Sequence, residues 1–125
     1  MANPVVHFEI LGRDAKRAQQ FYSQLFGWNV DANNPMEYGM VSADGNGIAG
    51  GIASAQGDPT ADGKPMVTVY VEVADLDASL RKAETLGGRT VAPPMDVPGG
   101  PTIAQFADPD GNIIGLIKSG SMQQG

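Results

Sequence analysis

The sequence has no cysteine, few basic residues and no long apolar run. Without cysteine, the protein can have no disulfide, no thiolate metal ligand and no cysteine nucleophile. The 14 acidic and 8 basic residues give a net charge of −6, which disfavours contact with the phosphates of a nucleic acid. No stretch is apolar enough for a transmembrane helix, and residues 1–10 lack the features of a signal peptide. We therefore expect a cytoplasmic protein that binds neither nucleic acid nor membrane.

What the sequence does contain is an internal repeat. Residues 7–30 align with residues 68–91 at a shift of 61, and residues 44–46 match residues 110–112 at a shift of 66. The matched residues are mainly those that begin helices, end helices or form turns. The repeat predicts two copies of one module. Because a copy of about 60 residues buries too little surface to be stable alone, the two copies should fold together as one domain.

Each copy reads as one strand, one helix and three further strands, in the order βαβββ. The opening strands, residues 5–10 and 67–73, alternate apolar and polar side chains. Further strands are expected at residues 28–30, 38–42, 48–53, 89–92, 102–107 and 113–118. The chain then divides into module one at 5–53, a turn-rich linker at 54–65, module two at 66–118 and a polar tail at 119–125 that should fray.

Each helix has a predicted beginning and end. Asp14 and Asp75 are placed to cap the N-termini, since a short acidic side chain accepts from the backbone N–H groups of the first turn. Gly27 and Gly88 are placed to end the helices, because glycine adopts positive φ without strain. The apolar face of the first helix is expected to comprise Ala18, Phe21 or Tyr22, and Leu25.

Strand alternation predicts where a binding site would lie. The helix after each opening strand must cover one face of its sheet, and the valine-rich face suits that packing. The opposite faces would then be concave and would line a shared cavity. The residues expected there are His7, Glu9, Thr68, Tyr70 and Glu72. Gln105 is added because it lies on the strand that enters the Asp108 turn, and its amide can both donate and accept hydrogen bonds.

Several of these features resemble the vicinal oxygen chelate superfamily, which includes glyoxalase I, extradiol dioxygenases and bleomycin-resistance proteins. The resemblance rests on His7 in the opening strand, on residues 21–28 and 71–78, and above all on Asp-Pro-Asp-Gly-Asn at 108–112. It extends over nearly the whole chain. It implies an α+β fold in which tandem βαβββ modules form an incomplete barrel around a small-molecule cavity, commonly in a homodimer.

Metal-dependent members of that family usually take ligands from the first and last strands of each module. Carried over to this sequence, the four positions are His7, Thr68, Ala49 and Gly115, of which only His7 is a usual metal ligand. A catalytic divalent metal generally needs about three protein ligands. We therefore expect no metal site and no cofactor.

Three classes of function are left open. A metal-independent protein that binds a small molecule, as bleomycin-resistance members do, agrees best with the depleted ligand set, and the acidic charge favours a cationic ligand. A metal-dependent lyase, isomerase or dioxygenase would need His7 with Glu9 or Glu72 as unusual ligands. A metal-free enzyme would use His7 or Glu9 as a general acid or base. Each of these residues also has a purely structural interpretation. In that case His7 is a hydrogen-bonded structural histidine, Glu9 and Glu72 are solvated, and Tyr70 is a core residue.

Overall fold

The computed structural model describes residues 2–43, 45, 47–58 and 60–121. The first half contains β1 (Val5–Gly12), α1 (Ala15–Phe26), β2 (Val30–Asp31), β3 (Gly39–Val41) and β4 (Ala49–Ser54). After a 3₁₀ turn at Ala55–Gly57, the second half contains β5 (Met66–Val73), α2 (Leu76–Thr85), β6 (Arg89–Asp96), β7 (Thr102–Ala107) and β8 (Ile113–Lys118). The predicted α+β class and the βαβββ order of each half are confirmed. Neither described helix is long and apolar enough to cross a membrane.

The chain divides into two compact units, Val6–Thr68 and a second unit made of Met1–Val5 with Val69–Gly125. In the first unit the strand order is β2-β3-β4-β1, with β4 parallel to β1 and antiparallel to β3. In the second unit the order is β5-β8-β7-β6, with β8 parallel to β5 and antiparallel to β7. The two units therefore have the same internal topology, as the sequence repeat predicts.

Both helices begin where the sequence predicts. The Asp14 carboxylate accepts a hydrogen bond of 3.1 Å from the Arg17 N–H, and Asp75 accepts one of 3.0 Å from the Ala78 N–H. Each aspartate thus satisfies a backbone donor that has no partner within its helix. Gly27 ends α1 in the left-handed region, at φ +70°.

The end of α2 differs from the prediction. The left-handed residue there is Gly87, at φ +101°, and not Gly88. A Cβ atom on Gly88 would stand 2.6 Å from the carbonyl oxygen of Ala107, so glycine at this position permits a close approach between two backbones. The aligned glycines of the two copies therefore have different roles: Gly27 provides a positive φ, and Gly88 permits close backbone packing.

The core of the second unit lies between α2 and its sheet. It consists of Val73, Leu76, Leu80, Ala104 and Leu116, with Val71 and Phe106 packed against them. Strand alternation correctly predicted Val71 and Val73 on the helix-facing side. Val67 is instead 70% exposed. It precedes Val73 by six residues, which is about 20 Å along an extended strand.

The helix α1 exposes part of the apolar face that the sequence predicts. Phe21 and Leu25 are exposed, and Tyr22 is partly buried. The buried residue of α1 is Gln19, whose side-chain nitrogen donates a 2.8 Å hydrogen bond to the Ile52 carbonyl. Hydrophobic periodicity could not reveal Gln19, because its burial depends on a hydrogen bond to a strand that is distant in the sequence.

The predicted linker and tail are partly packed. Ala55 and Ala61, both in the predicted linker, are buried in a cluster with Leu11 and so contribute to the core of the first unit. In the predicted tail, the Ser119 N–H donates a 2.8 Å hydrogen bond to the Val73 carbonyl. The tail residues 122–125 lie outside the described part of the chain, as do positions 44 and 46 of the predicted turn.

The proline-rich stretch of the second copy is also part of a strand. Strand β6 continues to Asp96, four residues beyond its predicted end, and its pairing with β7 is irregular around Ala92. Proline lacks the N–H that a ladder requires, but β6 is the last strand in the order of its unit and contains these irregularities. An edge position therefore accommodates Pro93 and Pro94.

Candidate functional site

Three polar side chains meet in the first unit. The Tyr38 hydroxyl oxygen lies 2.9 Å from Nε2 of His7 and 3.0 Å from Oε2 of Glu9. Glu9 is only 8% exposed, and the rings of His7 and Tyr38 are stacked with their centroids 6.3 Å apart. We call these three residues the Tyr38 cluster. His7 and Glu9 were predicted as site residues, whereas Tyr38 was not.

The strand β1 presents two different faces to its surroundings. Phe8 is paired with Gly50 and Glu9 with Gly51 in the parallel ladder between β1 and β4. A Cβ atom on Gly50 would overlap the Phe8 ring, and a Cβ atom on Gly51 would overlap the Tyr38 ring. Because successive residues of a strand face opposite sides, Phe8 and the Tyr38 ring lie on opposite faces. The alternation predicted for β1 is therefore confirmed.

The backbone of Tyr38 is fixed by Asn34. The Asn34 Oδ1 accepts a 2.9 Å hydrogen bond from the Tyr38 N–H, and the Asn34 Nδ2 donates a 2.7 Å hydrogen bond to the Tyr38 carbonyl. Between them, Glu37 adopts φ +52°, in the left-handed region. One amide side chain thus bonds to both backbone groups of Tyr38 and holds the backbone from which the ring extends.

Burial lowers the pKa of the His7 imidazole below its ordinary value. The cause is the loss of hydration, which disfavours the charged form. His7 therefore stays neutral at a pH at which an exposed histidine would begin to be protonated. A neutral imidazole has one nitrogen that donates and one that accepts, so its hydrogen bonds depend on the tautomer.

Two other predicted site residues meet in the second unit. The Gln105 Nε2 donates a 3.3 Å hydrogen bond to the Tyr70 hydroxyl, and both side chains are buried. The Tyr70 ring lies against Gly115, its partner in the parallel ladder between β5 and β8. Thr68 is also buried, whereas Glu72 is partly buried. The structure thus brings His7 together with Glu9, and Tyr70 together with Gln105.

A groove of about 360 Å³ lies in the second unit. The residues that line it include Val71, Val73, Phe106 and Leu116, together with Lys82 of α2. These valines belong to the helix-facing side of β5. None of the six predicted site residues lines this groove, so the pocket that they were predicted to border stays a prediction.

The strand registers correct one correspondence between the copies. Glu9 is paired with Gly51, and Tyr70, which aligns with Glu9, is paired with Gly115. The counterpart of Gly115 is therefore Gly51 and not Ala49. The reason is that β4 begins three residues after its predicted turn, whereas β8 begins directly after its own turn. An alignment of the two copies that matches residues 44–46 with 110–112 therefore places β4 and β8 out of register by two residues.

The residues present do not fit the metal site of the metal-dependent family members. Gly51 and Gly115 have no side chain, and at each one a tyrosine ring fills the space into which a side chain would extend. Thr68 has only a hydroxyl, and Nε2 of His7 is hydrogen-bonded to Tyr38. Within the described ranges, no three His, Cys, Asp or Glu side chains are grouped so that they could hold a metal ion. A site with three protein ligands is not formed by these donors.

Comparison with known proteins identifies the family. A model of the Glyoxalase/Bleomycin resistance protein/Dioxygenase superfamily matches residues 5–116, so the chain belongs to this superfamily and the resemblance inferred from its sequence is confirmed. The chain is 34% identical over 130 residues to the anthracycline biosynthesis proteins DauV of Streptomyces sp. (strain C5) and DnrV of Streptomyces peucetius. The alignment covers 93% of this chain and 47% of each relative. The chain thus spans about half the length of these curated relatives.

A solved structure supports the fold. Methylmalonyl-CoA epimerase from Mycobacterium tuberculosis superposes with a TM-score of 0.65 at 20% identity, over 91% of this chain and 86% of the epimerase chain. At this identity the likeness concerns the fold alone. The mixed α+β architecture is therefore that of the superfamily.

Proposed function

We propose that the protein binds a small organic molecule through the Tyr38 cluster and that it does so without a divalent metal. The observation that carries this proposal is the burial of Glu9 beside His7, with one hydroxyl bridging both. Burying a carboxylate costs free energy unless it is paired or hydrogen-bonded, and groups of this kind are concentrated at functional sites. The poor fit of the residues to a metal site supports the metal-free part of the proposal.

The ligand that we propose is aromatic and cationic. Glu9 would provide a negative charge in a partly desolvated environment, where its attraction for a cation is stronger than in water. The net charge of −6 favours the approach of a cation as well. The relatives named for anthracycline biosynthesis, at 34% identity, support a fused aromatic compound as the ligand.

Calorimetric titration of wild type and Glu9→Gln tests this proposal. The ligands are a cationic anthracycline, a cationic glycopeptide and a neutral aromatic compound. Glu9→Gln should weaken binding of a cationic ligand by about 1–3 kcal/mol, the range for losing a hydrogen bond to a charged group. Added salt should weaken it further if the site is open to solvent. Binding of the neutral compound should be unaffected by the substitution.

Glu37→Gln is the matched control, because it removes the same charge from an exposed side chain in the same unit. It should leave the affinity for the cationic ligand nearly unchanged. An equal loss in both variants would mean that only the net charge attracts the ligand. A preference for the neutral compound, unaffected by Glu9→Gln, would contradict the proposed role of Glu9.

Elemental analysis of protein purified without chelators tests the metal-free part separately. We expect Zn, Ni, Mn and Fe each at well below one atom per chain. A stoichiometric amount of any of these metals, lost in His7→Ala, would contradict the proposal and would favour a metal-dependent lyase, isomerase or dioxygenase.

We also propose that the protein forms a homodimer. Phe21, Leu25 and Phe26 of α1 are 57%, 59% and 56% exposed, and apolar side chains grouped on one surface are typical of an interface. Light scattering after size exclusion should give twice the chain mass of 13.0 kDa. The mass of a single chain, maintained up to high protein concentration, would contradict this assignment.

A further inference from the structure

Tyr38 is held in place by contacts that do not involve His7 or Glu9. Its backbone N–H and carbonyl both bond to the Asn34 side chain, and its ring occupies the space left by the missing side chain of Gly51. The position of the hydroxyl is therefore determined by the loop and by β4. His7 and Glu9 contact that hydroxyl from β1, where the two residues lie two positions apart on the same face of the strand.

The hydroxyl imposes an order on the hydrogen bonds of the cluster. The Tyr38 O–H donates a 3.0 Å hydrogen bond to Oε2 of Glu9, which accepts it. The phenol has a single proton, so its oxygen must accept from Nε2 of His7. Nε2 therefore has to be protonated. Burial lowers the pKa of His7, which favours the neutral ring, and the single N–H of that ring is then the one on Nε2.

We propose that Tyr38 is a positioning residue that orders one hydrogen-bond chain from His7 through its hydroxyl to Glu9 and thereby fixes His7 as the Nε2–H tautomer. Any group that meets Nδ1 of His7 must then be a hydrogen-bond donor. The tautomer does not rest on the proposed function.

Nitrogen NMR of the imidazole in the ligand-free protein tests the tautomer. His7 is the only histidine, so ¹⁵N-histidine labelling gives one pair of ring nitrogen signals. Above the pKa of His7, wild type should show a protonated Nε2 and an unprotonated Nδ1. Tyr38→Phe keeps the ring but removes the hydroxyl, and should shift the signals toward a mixture of tautomers. Tyr22→Phe, which removes the hydroxyl of an α1 tyrosine stacked on Trp28, should leave them unchanged.

A protonated Nδ1 in wild type would overturn the proposal, and so would identical signals in wild type and in a folded Tyr38→Phe. If Tyr38→Phe does not fold, Glu9→Gln provides the second variant. Its amide can either donate to the hydroxyl or accept from it, so the single tautomer should again be lost. An unchanged Nε2–H tautomer in Glu9→Gln would then contradict the ordered chain.

Titration with the cationic anthracycline separates this inference from the proposed function. Tyr38→Phe should weaken binding about five-fold or more, the scale for losing one hydrogen bond. An Nε2–H tautomer in a protein that binds none of the ligands would contradict the proposed function alone. Binding by a protein with a protonated Nδ1 would contradict the positioning role alone. Equal affinity in Tyr38→Phe would contradict any role of Tyr38 in binding.

Discussion

The substitution Gly51→Ala tests the packing on which the Tyr38 cluster depends. A Cβ atom at position 51 would overlap the ring and hydroxyl of Tyr38. Gly51 does not adopt a left-handed conformation, so alanine suits the backbone and the cost is steric. We expect the free energy of unfolding to fall by about 1–3 kcal/mol, the range for adding a group to a filled interior. For a chain of this length that is a decrease in Tm of roughly 4 °C per kcal/mol.

Urea denaturation followed by fluorescence measures this loss. Trp28, the only tryptophan, packs against Phe8 in the same unit and reports on its unfolding. The matched control is Gly57→Ala, because a Cβ atom there would have no neighbour within 4 Å and the residue is outside the left-handed region. That variant should be unchanged or slightly stabilised, since alanine restricts the unfolded chain.

A double-mutant cycle identifies the source of the strain. In a Tyr38→Ala background the ring is absent, so Gly51→Ala should cost close to nothing, and the coupling energy should equal about the 1–3 kcal/mol lost in wild type. An equal loss in both backgrounds would show that something other than the tyrosine ring opposes the new methyl group. A harmless Gly51→Ala in wild type would refute the close packing of Tyr38 on β4.

Two further predictions concern the first unit. Gln19→Ala should destabilise the protein by about 1–3 kcal/mol, because the buried Ile52 carbonyl loses its donor. Gln20→Ala, at an exposed position of the same helix, should change little in the same denaturation assay, and equal losses would contradict this account. Because burial lowers the pKa of His7, the unfolded state binds more protons than the folded state at pH values between the two pKa values. The free energy of unfolding should therefore decrease as the pH falls through 6.5 toward the folded-state pKa, and it should decrease more in wild type than in His7→Gln. Parallel pH profiles for the two proteins would contradict burial of the ring.

The sequence predicts the elements of the fold well where the cause is local. Asp14 and Asp75 cap helices because a capping side chain bonds to the backbone three residues later. Gly27 ends α1 for an equally local reason, its positive φ. Strand alternation correctly placed Glu9 and Phe8 on opposite faces of β1, since it follows from the geometry of an extended chain.

The sequence fails where the cause is a contact with a distant segment. Gly88 was predicted to end α2, but it is glycine because the Ala107 carbonyl comes close to it. Gln19 is buried because Ile52, 33 positions later, supplies a carbonyl. Ala61, in a segment that was read as a linker, is buried because Leu11 packs beside it. None of these neighbours can be found from local composition or periodicity.

The candidate site also depends partly on local sequence and partly on contacts between distant segments. By itself, the sequence determined that His7 and Glu9 share a face of β1, and that His7 is the only usual metal ligand among the four positions carried over from metal-dependent members. Only the tertiary structure decided that Tyr38 joins them, because its hydroxyl reaches residues 31 and 29 positions earlier in the chain. That contact requires the pairing of β1 with β4 and the space above Gly51, and both of these arise from packing between segments that local sequence does not encode.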